Sequence, residues 1–305
     1  MIDRVDTFAR NKAGALIINP RKLDIQSFWL TPDAPNNPIV LALGGTSGPV
    51  SFSVSQDGPF EAFYLTAART TAALASTDVF VDAYDDGGKL RLVNRQVHMD
   101  TIFGQKFLPA VGMLPHLLAE TLWIHASRSL IFTFIDGNAA GPGPGNTIWP
   151  EVIGRRFYSY SNPSEELAVA IEKRSARARL SSPFWMTFDP PVAPTDANGN
   201  MLLAPLGAGL GFIRVPTVGH FEWHKLMSLS TGAYRFRVID SRNGRVMTND
   251  WIHVNAGTGS GPLPLVLPEP TVFQPNSQLR IETVDLSGAP NTIYFTLAGR
   301  MIYVA

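Results

Sequence analysis

Short stretches of alternating apolar and polar residues, separated by turn clusters, run along the whole chain. Residues 50–54 and 234–238 each place apolar side chains on one face and polar side chains on the other. Clusters rich in Gly, Asp and Asn, such as residues 85–88 and 241–244, interrupt these stretches. Short strands at this spacing predict an all-β sandwich rather than alternating strand and helix units.

The sequence repeats itself, and the same anchors recur in the same order in both halves. Residues 148–158 align without gaps with residues 293–303, and the two segments share an Ile, a Gly-Arg pair and a final Tyr. Residues 58–65 align with residues 219–226 and share a Gly, a Phe-Glu pair and a Leu. These anchors predict two tandem copies of one β-sandwich.

The duplication divides the chain into four parts. We expect an extended N-terminal arm over residues 1–23, a first jelly-roll-like β-sandwich over residues 24–160, a helical linker over residues 161–181, and a second sandwich over residues 182–305. Pro163 suits the first turn of the linker helix, and basic residues gather towards its end, where the helix dipole favours them. Such a helix packs between the two sandwiches or against a neighbouring subunit.

The pattern near the end of each copy also predicts which strands pair. We expect residues 122–126 to pair with residues 130–135 in the first copy. The counterpart in the second copy is residues 279–283 with residues 292–297.

Composition narrows the classes of function. The chain has 25 basic and 25 acidic residues, so its zero net charge gives no general attraction to nucleic acid and little self-repulsion. Cysteine is absent, which excludes disulfides and thiolate zinc sites. The N-terminal residues lack the apolar core of a signal peptide, and the apolar runs are too short to cross a bilayer. We therefore expect a soluble protein made in the cytoplasm, with neither nucleic acid nor membrane as a partner.

The sequence motifs do not predict catalysis. His220 and His224 are four residues apart, but on a strand this spacing corresponds to about 13 Å, which is too far for both to bind one metal ion. The acidic residues before Gly87 do not match a calcium loop, and the glycine-rich runs lack the lysine of a P-loop. We therefore expect no enzymatic activity, no cofactor and no metal.

Six tryptophans supply candidate contact surfaces. Trp29 and Trp185 occupy the same repeat position within a shared Phe-Trp pair, which favours a core tryptophan at the start of each copy. Three other tryptophans have different residues at the matching position and are better candidates for exposed contacts. With four residues of the arm they form the candidate interface: Arg4, Phe8, Arg10, Arg21, Trp149, Trp223 and Trp251. Exposed aromatic residues fit a protein interface or a platform for a sugar.

The closing pattern of the second copy resembles a known family. Residues 268–281 contain a Pro-x-Pro and then a Gln-Pro-Asn-Ser turn that leads into a strand, and residues 291–300 end on an apolar strand with Gly-Arg. This pattern resembles the C-terminal part of β-sandwich structural proteins of tailed-bacteriophage virions. The first copy has the same plan over residues 122–158, but Ala119 and Glu120 stand where the Pro-Asn turn is expected.

The resemblance implies a non-enzymatic virion structural protein, of the capsid decoration or minor capsid (cement) type. It implies that the protein is located in the virion and binds the major capsid protein or other virion proteins, and we expect a homo-oligomer. Proteins of this kind also form head fibres or join head to tail. An alternative that stays open is a host-facing adhesin or carbohydrate-binding module of the virion.

Overall fold

The computed structural model describes residues 8–10, 16–18, 25–71, 78–86, 90–105, 115–137, 144–158, 165–189, 200–248, 250–261 and 263–303. Antiparallel strands dominate these residues, so the predicted all-β sandwich fold is confirmed. Within the predicted arm, strands β1 (Phe8–Arg10) and β2 (Leu16–Ile18) form an antiparallel pair, where the sequence predicts an extended segment. No helix among the described residues is long and apolar enough to cross a membrane.

Among its described residues, the first half of the molecule, residues 25–158, contains eleven strands and one short helix, α1 (Met99–Ile102). In chain order its strands are β3 (Ile25–Leu30), β4 (Ile39–Ala42), β5 (Thr46–Ser53), β6 (Phe60–Thr71), β7 (Val79–Asp85), β8 (Leu90–Arg91), β9 (Val97–His98), β10 (Gly104–Gln105), β11 (His116–Ile124), β12 (Ser129–Asp136) and β13 (Pro144–Phe157).

The second half, residues 181–303, follows helix α2 (Glu165–Leu180) and contains the short helix α3 (Val254–Gly257). Its strands are β14 (Ser181–Thr187), β15 (Met201–Leu203), β16 (Ala208–Arg214), β17 (Gly219–Ser230), β18 (Tyr234–Asp240), β19 (Arg245–Val246), β20 (Ile252–His253), β21 (Leu265–Phe273), β22 (Gln278–Asp285) and β23 (Asn291–Tyr303).

The two halves have the same topology. One sheet has the strand order β3-β13-β6-β11 in the first half and β14-β23-β17-β21 in the second. The other sheet has the order β5-β12-β7-β8 in the first half and β16-β22-β18-β19 in the second. Two facing sheets of four main strands, connected in this order, make each half a jelly roll. The predicted pairings of residues 122–126 with residues 130–135 and of residues 279–283 with residues 292–297 are both wrong. The strands β11 and β12 belong to opposite sheets, and so do β22 and β23.

The repeated Phe-Glu and Gly-Arg anchors meet at equivalent places in both halves. Arg155 Nε donates to Glu61 Oε2 at 2.8 Å, and Arg300 Nη2 donates to Glu222 Oε2 at 2.8 Å. Each pair joins the last strand of its half to the strand beside it. The internal sequence repeat therefore corresponds to a repeated cross-strand ion pair.

Helix α2 lies across both halves. It contacts β11 of the first half and both β14 and β23 of the second. The predicted linker helix is thus present, and it packs on the two sandwiches. The domain boundaries drawn from the sequence stay a prediction.

Candidate interaction surface

The second half packs the outer face of its β14-β23-β17 sheet against the first half. All seven residues of β14 are buried, although β14 lies at the edge of its own sheet. Trp185 is only 2% exposed, and together with Met227 and Ala298 it belongs to the apolar core cluster of the first half. This contact, which we call the junction, is therefore continuous with the core of the first half.

Backbone hydrogen bonds join the edge of β14 to the first half. Trp185 N donates to the Leu92 carbonyl oxygen at 2.9 Å, and Asn94 N donates to the Trp185 carbonyl oxygen at 3.1 Å. The Asn94 side chain also bonds the backbone of Thr187, donating from Nδ2 at 2.8 Å and accepting at Oδ1 at 2.9 Å. These bonds satisfy backbone groups that an open strand edge leaves unpaired, and they fix the register between the halves.

Aromatic and hydroxyl side chains add further contacts across the junction. The ring of Tyr294 lies 4.5 Å from the ring of His98, and the Tyr294 hydroxyl donates to the Asp78 carboxylate at 3.0 Å. The hydroxyl groups of Thr101 and Thr296 are hydrogen-bonded at 3.0 Å. These polar side chains thus find partners across the junction.

Among the buried titratable side chains at the junction, His116 and Lys225 have lowered pKa values. His116 Nδ1 lies 2.6 Å from the Gly261 carbonyl oxygen, and because this oxygen only accepts, Nδ1 carries the proton. The pKa of His116 is lowered to about 4, mainly by burial and to a smaller extent by the charge of Lys225, while the hydrogen bond to Gly261 partly opposes this shift. Burial also lowers the pKa of Lys225 to about 8, and its Nζ donates to the Leu117 carbonyl oxygen.

The second half carries a copy of the first half's side of the junction, and no other described part of the chain covers this copy. The pairing of β9 on β7 matches that of β20 on β18, so His98 corresponds to His253. The same offset along the chain matches Val93 with Thr248 and Thr101 with Ala256. Both histidines cap the following short helix by accepting a backbone N–H at Nδ1, at 3.2 Å in each case. His98 is buried at 5% exposure, whereas His253 is exposed.

An apolar groove of about 380 Å³ opens on this uncovered copy, between β21 and the segment that carries α3. Most of its lining side chains are apolar, and they include Trp223, Leu226, Met247, Ile252, Leu265 and Leu267. Thr248 also lines the groove, and among the described residues its buried Oγ1 has no hydrogen-bond partner. Val266 and Val272 of β21 are 61% and 56% exposed. We call this feature the open groove.

Trp29 is the counterpart of Trp185, yet it is 55% exposed. Trp29 pairs with Ile153 and Trp185 pairs with Ala298, and in each half the partner directly precedes the repeated Gly-Arg. The prediction of a core tryptophan at this position is therefore wrong for the first half, because Trp185 is buried by the junction and Trp29 is not. Trp149, the counterpart of Tyr294, is half-buried on the adjacent strand β13.

The arm residues among the sequence candidates are placed only in part. Arg4 and Arg21 lie outside the described residues. Phe8 and Arg10 lie on β1, at positions that pair with Ile18 and Leu16 of β2. Their role as contacts stays a prediction.

Two tryptophan candidates have partners within the second half. Trp223 is only 4% exposed and its ring packs against Phe273, so the prediction that it is an exposed contact is wrong. It instead forms one wall of the open groove. Trp251 is half-buried, and the guanidinium carbons of Arg235 and Arg237 lie 5.2 Å and 5.0 Å from its ring centroid. Stacking on these arginines is a cation–π contact.

A second cavity, of about 590 Å³, lies beneath α2 and has charged walls. Arg174 Nε donates to Glu61 Oε2 at 3.1 Å, and Arg177 Nε donates to Glu120 Oε1 at 2.8 Å. Both glutamates are buried, at 6% and 9% exposure. These four charged side chains pair with one another and tie the helix to the sheet beneath it.

The histidine pair singled out from the sequence lies on a strand, β17, as predicted. His224 Nε2 lies 2.8 Å from Glu222 Oε1, in an ion-pair geometry. The described part of the chain contains no group of three or more His, Asp or Glu side chains that could hold a metal ion.

Comparisons with known proteins assign no family to the chain. No family model matches the sequence, and no curated protein matches it. Among solved structures, one of the Sulfolobus turreted icosahedral virus aligns over 92% of this chain and 91% of its own, with 10% identity and a TM-score of 0.43. The STIV MCP, a viral capsid protein, aligns over 91% of this chain and 97% of its own, with 10% identity and a TM-score of 0.36.

The structure of PNGF-II aligns over 91% of this chain and 66% of its own, with 9% identity and a TM-score of 0.36. Weak structural neighbours of this chain thus include a viral capsid protein as well as PNGF-II. At TM-scores below 0.5, these likenesses establish no function.

Proposed function

We propose that this protein is a non-enzymatic structural protein of a virion, of the capsid decoration or minor capsid type, which acts by binding neighbouring subunits. The observation that carries the proposal is the uncovered copy of the junction on the second half. The first half buries this surface against the second half, whereas the second half leaves it open with an apolar groove. Contiguous apolar surface of this kind marks an interaction site on a protein.

The way the two halves are joined supports a role as a building block. Trp185 enters the core of the first half, and backbone bonds fix the edge of β14 to Leu92 and Asn94. A junction that combines core packing with strand-edge bonds holds the halves as one body. Residues 268–281 and 291–300 resemble virion structural proteins, and this resemblance indicates that the assembly containing such a body is a virion.

The carbohydrate-binding alternative is the weaker proposal. It relies on exposed tryptophan faces, but Trp223 is buried and Trp251 is stacked against two guanidinium groups. Trp149 is half-buried and lies on β13, the strand that pairs with the strand of Trp29, on a face that the junction uses in the second half. We therefore assign this tryptophan face to protein contacts.

Localisation of the protein in particles tests the proposed function. Virus particles from lysates of cultures that produce this protein are purified on a density gradient and analysed by mass spectrometry and with antibodies to the second half. We expect the protein in the particle peak at a fixed ratio to the major capsid protein, with a cytosolic host enzyme as the control for carry-over. Protein that stays entirely in the soluble fraction would overturn the proposal.

The predicted role of the arm is tested in the same way. Deletion of residues 1–23 is expected to abolish incorporation into particles, because we assign the capsid contact to the arm and one sandwich. Unchanged incorporation of the deleted protein would remove the arm from the proposal.

A further inference from the structure

We propose that the open groove binds a second copy of this chain, which inserts its exposed Trp29. The contact repeats between two molecules the junction that each molecule already makes between its own halves. This inference rests on the proposed function, because it names the partner in assembly. We call the face that inserts the tryptophan the donor surface, and the face that accepts it the receiving surface.

The junction is the template for the contact. In it, Trp185 belongs to the apolar core cluster of the first half, and its backbone bonds to Leu92 and Asn94 on the segment before α1. Tyr294 covers the capping His98 in the same contact. One tryptophan at a strand edge and one neighbouring aromatic ring therefore mark the donor side.

The first half presents the same donor surface to solvent. Trp29 has the register of Trp185, and its strand β3 lies at a sheet edge just as β14 does. Trp149 has the register of Tyr294 on the next strand. The two aromatic residues of the donor surface are thus repeated, with one of them 55% exposed.

The second half presents the receiving surface. Met247 corresponds to Leu92, and its N–H bonds the Val238 carbonyl oxygen just as the Leu92 N–H bonds that of Ala83. We expect the Met247 carbonyl oxygen to accept the Trp29 N–H of the second copy. The indole ring would then lie in the open groove, and Trp149 would cover the exposed His253.

Each copy has one donor surface, on the first half, and one receiving surface, on the second half. A contact between them is heterologous, because the two sides are different surfaces of the molecule. Copies therefore add head to tail, and the rotation between neighbours decides whether they close into a ring or continue as a filament. The internal duplication makes this possible, since both surfaces descend from one sandwich.

Sedimentation velocity over a concentration series tests the contact. The full chain is compared with Trp29→Ala on the donor side, Thr248→Arg at the open groove, and the control Leu210→Ala on the other sheet of the second half. We expect the first two variants to weaken association by about 30-fold or more, the usual effect of removing a central aromatic anchor. The control is expected to associate like the unchanged chain, and circular dichroism shows that each variant is folded.

Cysteine pairing gives a test that does not depend on loss of binding, because the chain contains no cysteine. Thr101 and Thr296 are hydrogen-bonded across the junction. In the contact between two copies, Ala256 of one copy takes the place of Thr101, and Glu151 of the other copy takes the place of Thr296. Under mild oxidation, we expect a mixture of the single variants Ala256→Cys and Glu151→Cys to form a mixed disulfide dimer. The double variant Thr101→Cys and Thr296→Cys, which cross-links within one chain, is the positive control.

The outcomes separate this inference from the proposed function. A monomer at all concentrations, or association that both Trp29→Ala and Thr248→Arg leave unchanged, overturns the inference, while incorporation into particles can still hold. Association that both variants weaken, together with absence from particles, overturns the proposed function and leaves the contact between copies standing. Failure of the mixed pair to cross-link while the control pair does so counts against the inference.

Discussion

At the scale of single residues, the repeated glycines mark where two backbones come closest. A Cβ atom on Gly154 would lie 2.1 Å from the Glu61 carbonyl oxygen, and one on Gly299 would lie 1.9 Å from that of Glu222. The sequence repeat shows these glycines, but the reason for them is a cross-strand approach that only the structure reveals.

Alanine at either glycine is expected to destabilise the protein. Gly154→Ala and Gly299→Ala should each lower the free energy of unfolding by about 2 kcal/mol, because backbone atoms must move to admit the methyl group. The control Gly244→Ala has open space around the new Cβ and a φ of +67°, so only the cost of a left-handed backbone, about 1 kcal/mol, is expected. Urea denaturation measures all three, and equal losses would contradict this explanation.

His116 makes the stability of the junction depend on pH. Its pKa is lowered from 6.5 to about 4 by burial, so between these values the unfolded chain binds a proton that the folded chain excludes. The free energy of unfolding should therefore fall as the pH drops through this range, by about 2 kcal/mol between pH 7 and pH 5.

Denaturation of His116→Gln at the two pH values checks this prediction. The variant should lose that part of the pH dependence, since glutamine does not titrate. The control His220→Gln should keep it. A pH dependence that is the same in His116→Gln and in the unchanged chain would show that other groups cause it.

Residue identity does not predict the burial of the two repeated tryptophans. Trp29 and Trp185 share a position, a neighbour and a register, so the sequence predicts one environment for both. Their burial differs because one face is covered by the other half of the chain and the equivalent face is not. Alignment of the two repeats identifies equivalent positions. Whether such a position is buried depends on how the two halves pack against each other.

At the scale of elements, the sequence predicts strands and the linker helix well and strand pairing poorly. Alternation predicts residues 50–54 and 234–238 as strands, and they lie in β5 and β18. The predicted pairing of residues 122–126 with residues 130–135 fails because sequence neighbours in a jelly roll lie in opposite sheets. Alternation fixes which face is apolar, whereas the pairing depends on contacts between distant strands.

The ion pairs between α2 and the first half contribute to the free energy of unfolding. Glu61 accepts from Arg155, from Arg174 of the helix, and from the Thr121 hydroxyl. Glu61→Ala removes these bonds to a buried carboxylate and is expected to lower the free energy of unfolding by about 2 kcal/mol. Glu172→Ala, on an exposed position of the same helix, is the control and should change little.

Thermal and urea denaturation of both variants provide the measurement. The arginine partners of Glu61 are about one-third exposed, so water hydrates them when the carboxylate is removed. We therefore expect no loss in the free energy of unfolding far above about 2 kcal/mol. Equal stability of Glu61→Ala and Glu172→Ala would show that the helix is held by apolar contacts alone.

At the scale of the whole molecule, the duplication predicts two sandwiches, and the structure shows how they are joined. The sequence does not predict the junction, because its contacts come from several separate segments that the repeat alignment treats as ordinary strands and turns. These segments include residues 92–101, β11, β14 and β23. The sequence does not predict the open groove for the same reason. The groove lies on the second half, at the place that corresponds to the surface of the first half that the junction covers.

A cryo-electron microscopy reconstruction of the assembled protein on its particle tests most directly whether copies of this chain bind one another through Trp29 and the open groove. We expect Trp29 of one copy to lie in the open groove of the next, with Trp149 against His253 and the two halves of each chain joined through the junction. A reconstruction in which the copies meet elsewhere, with Trp29 in solvent and the groove empty, would contradict it.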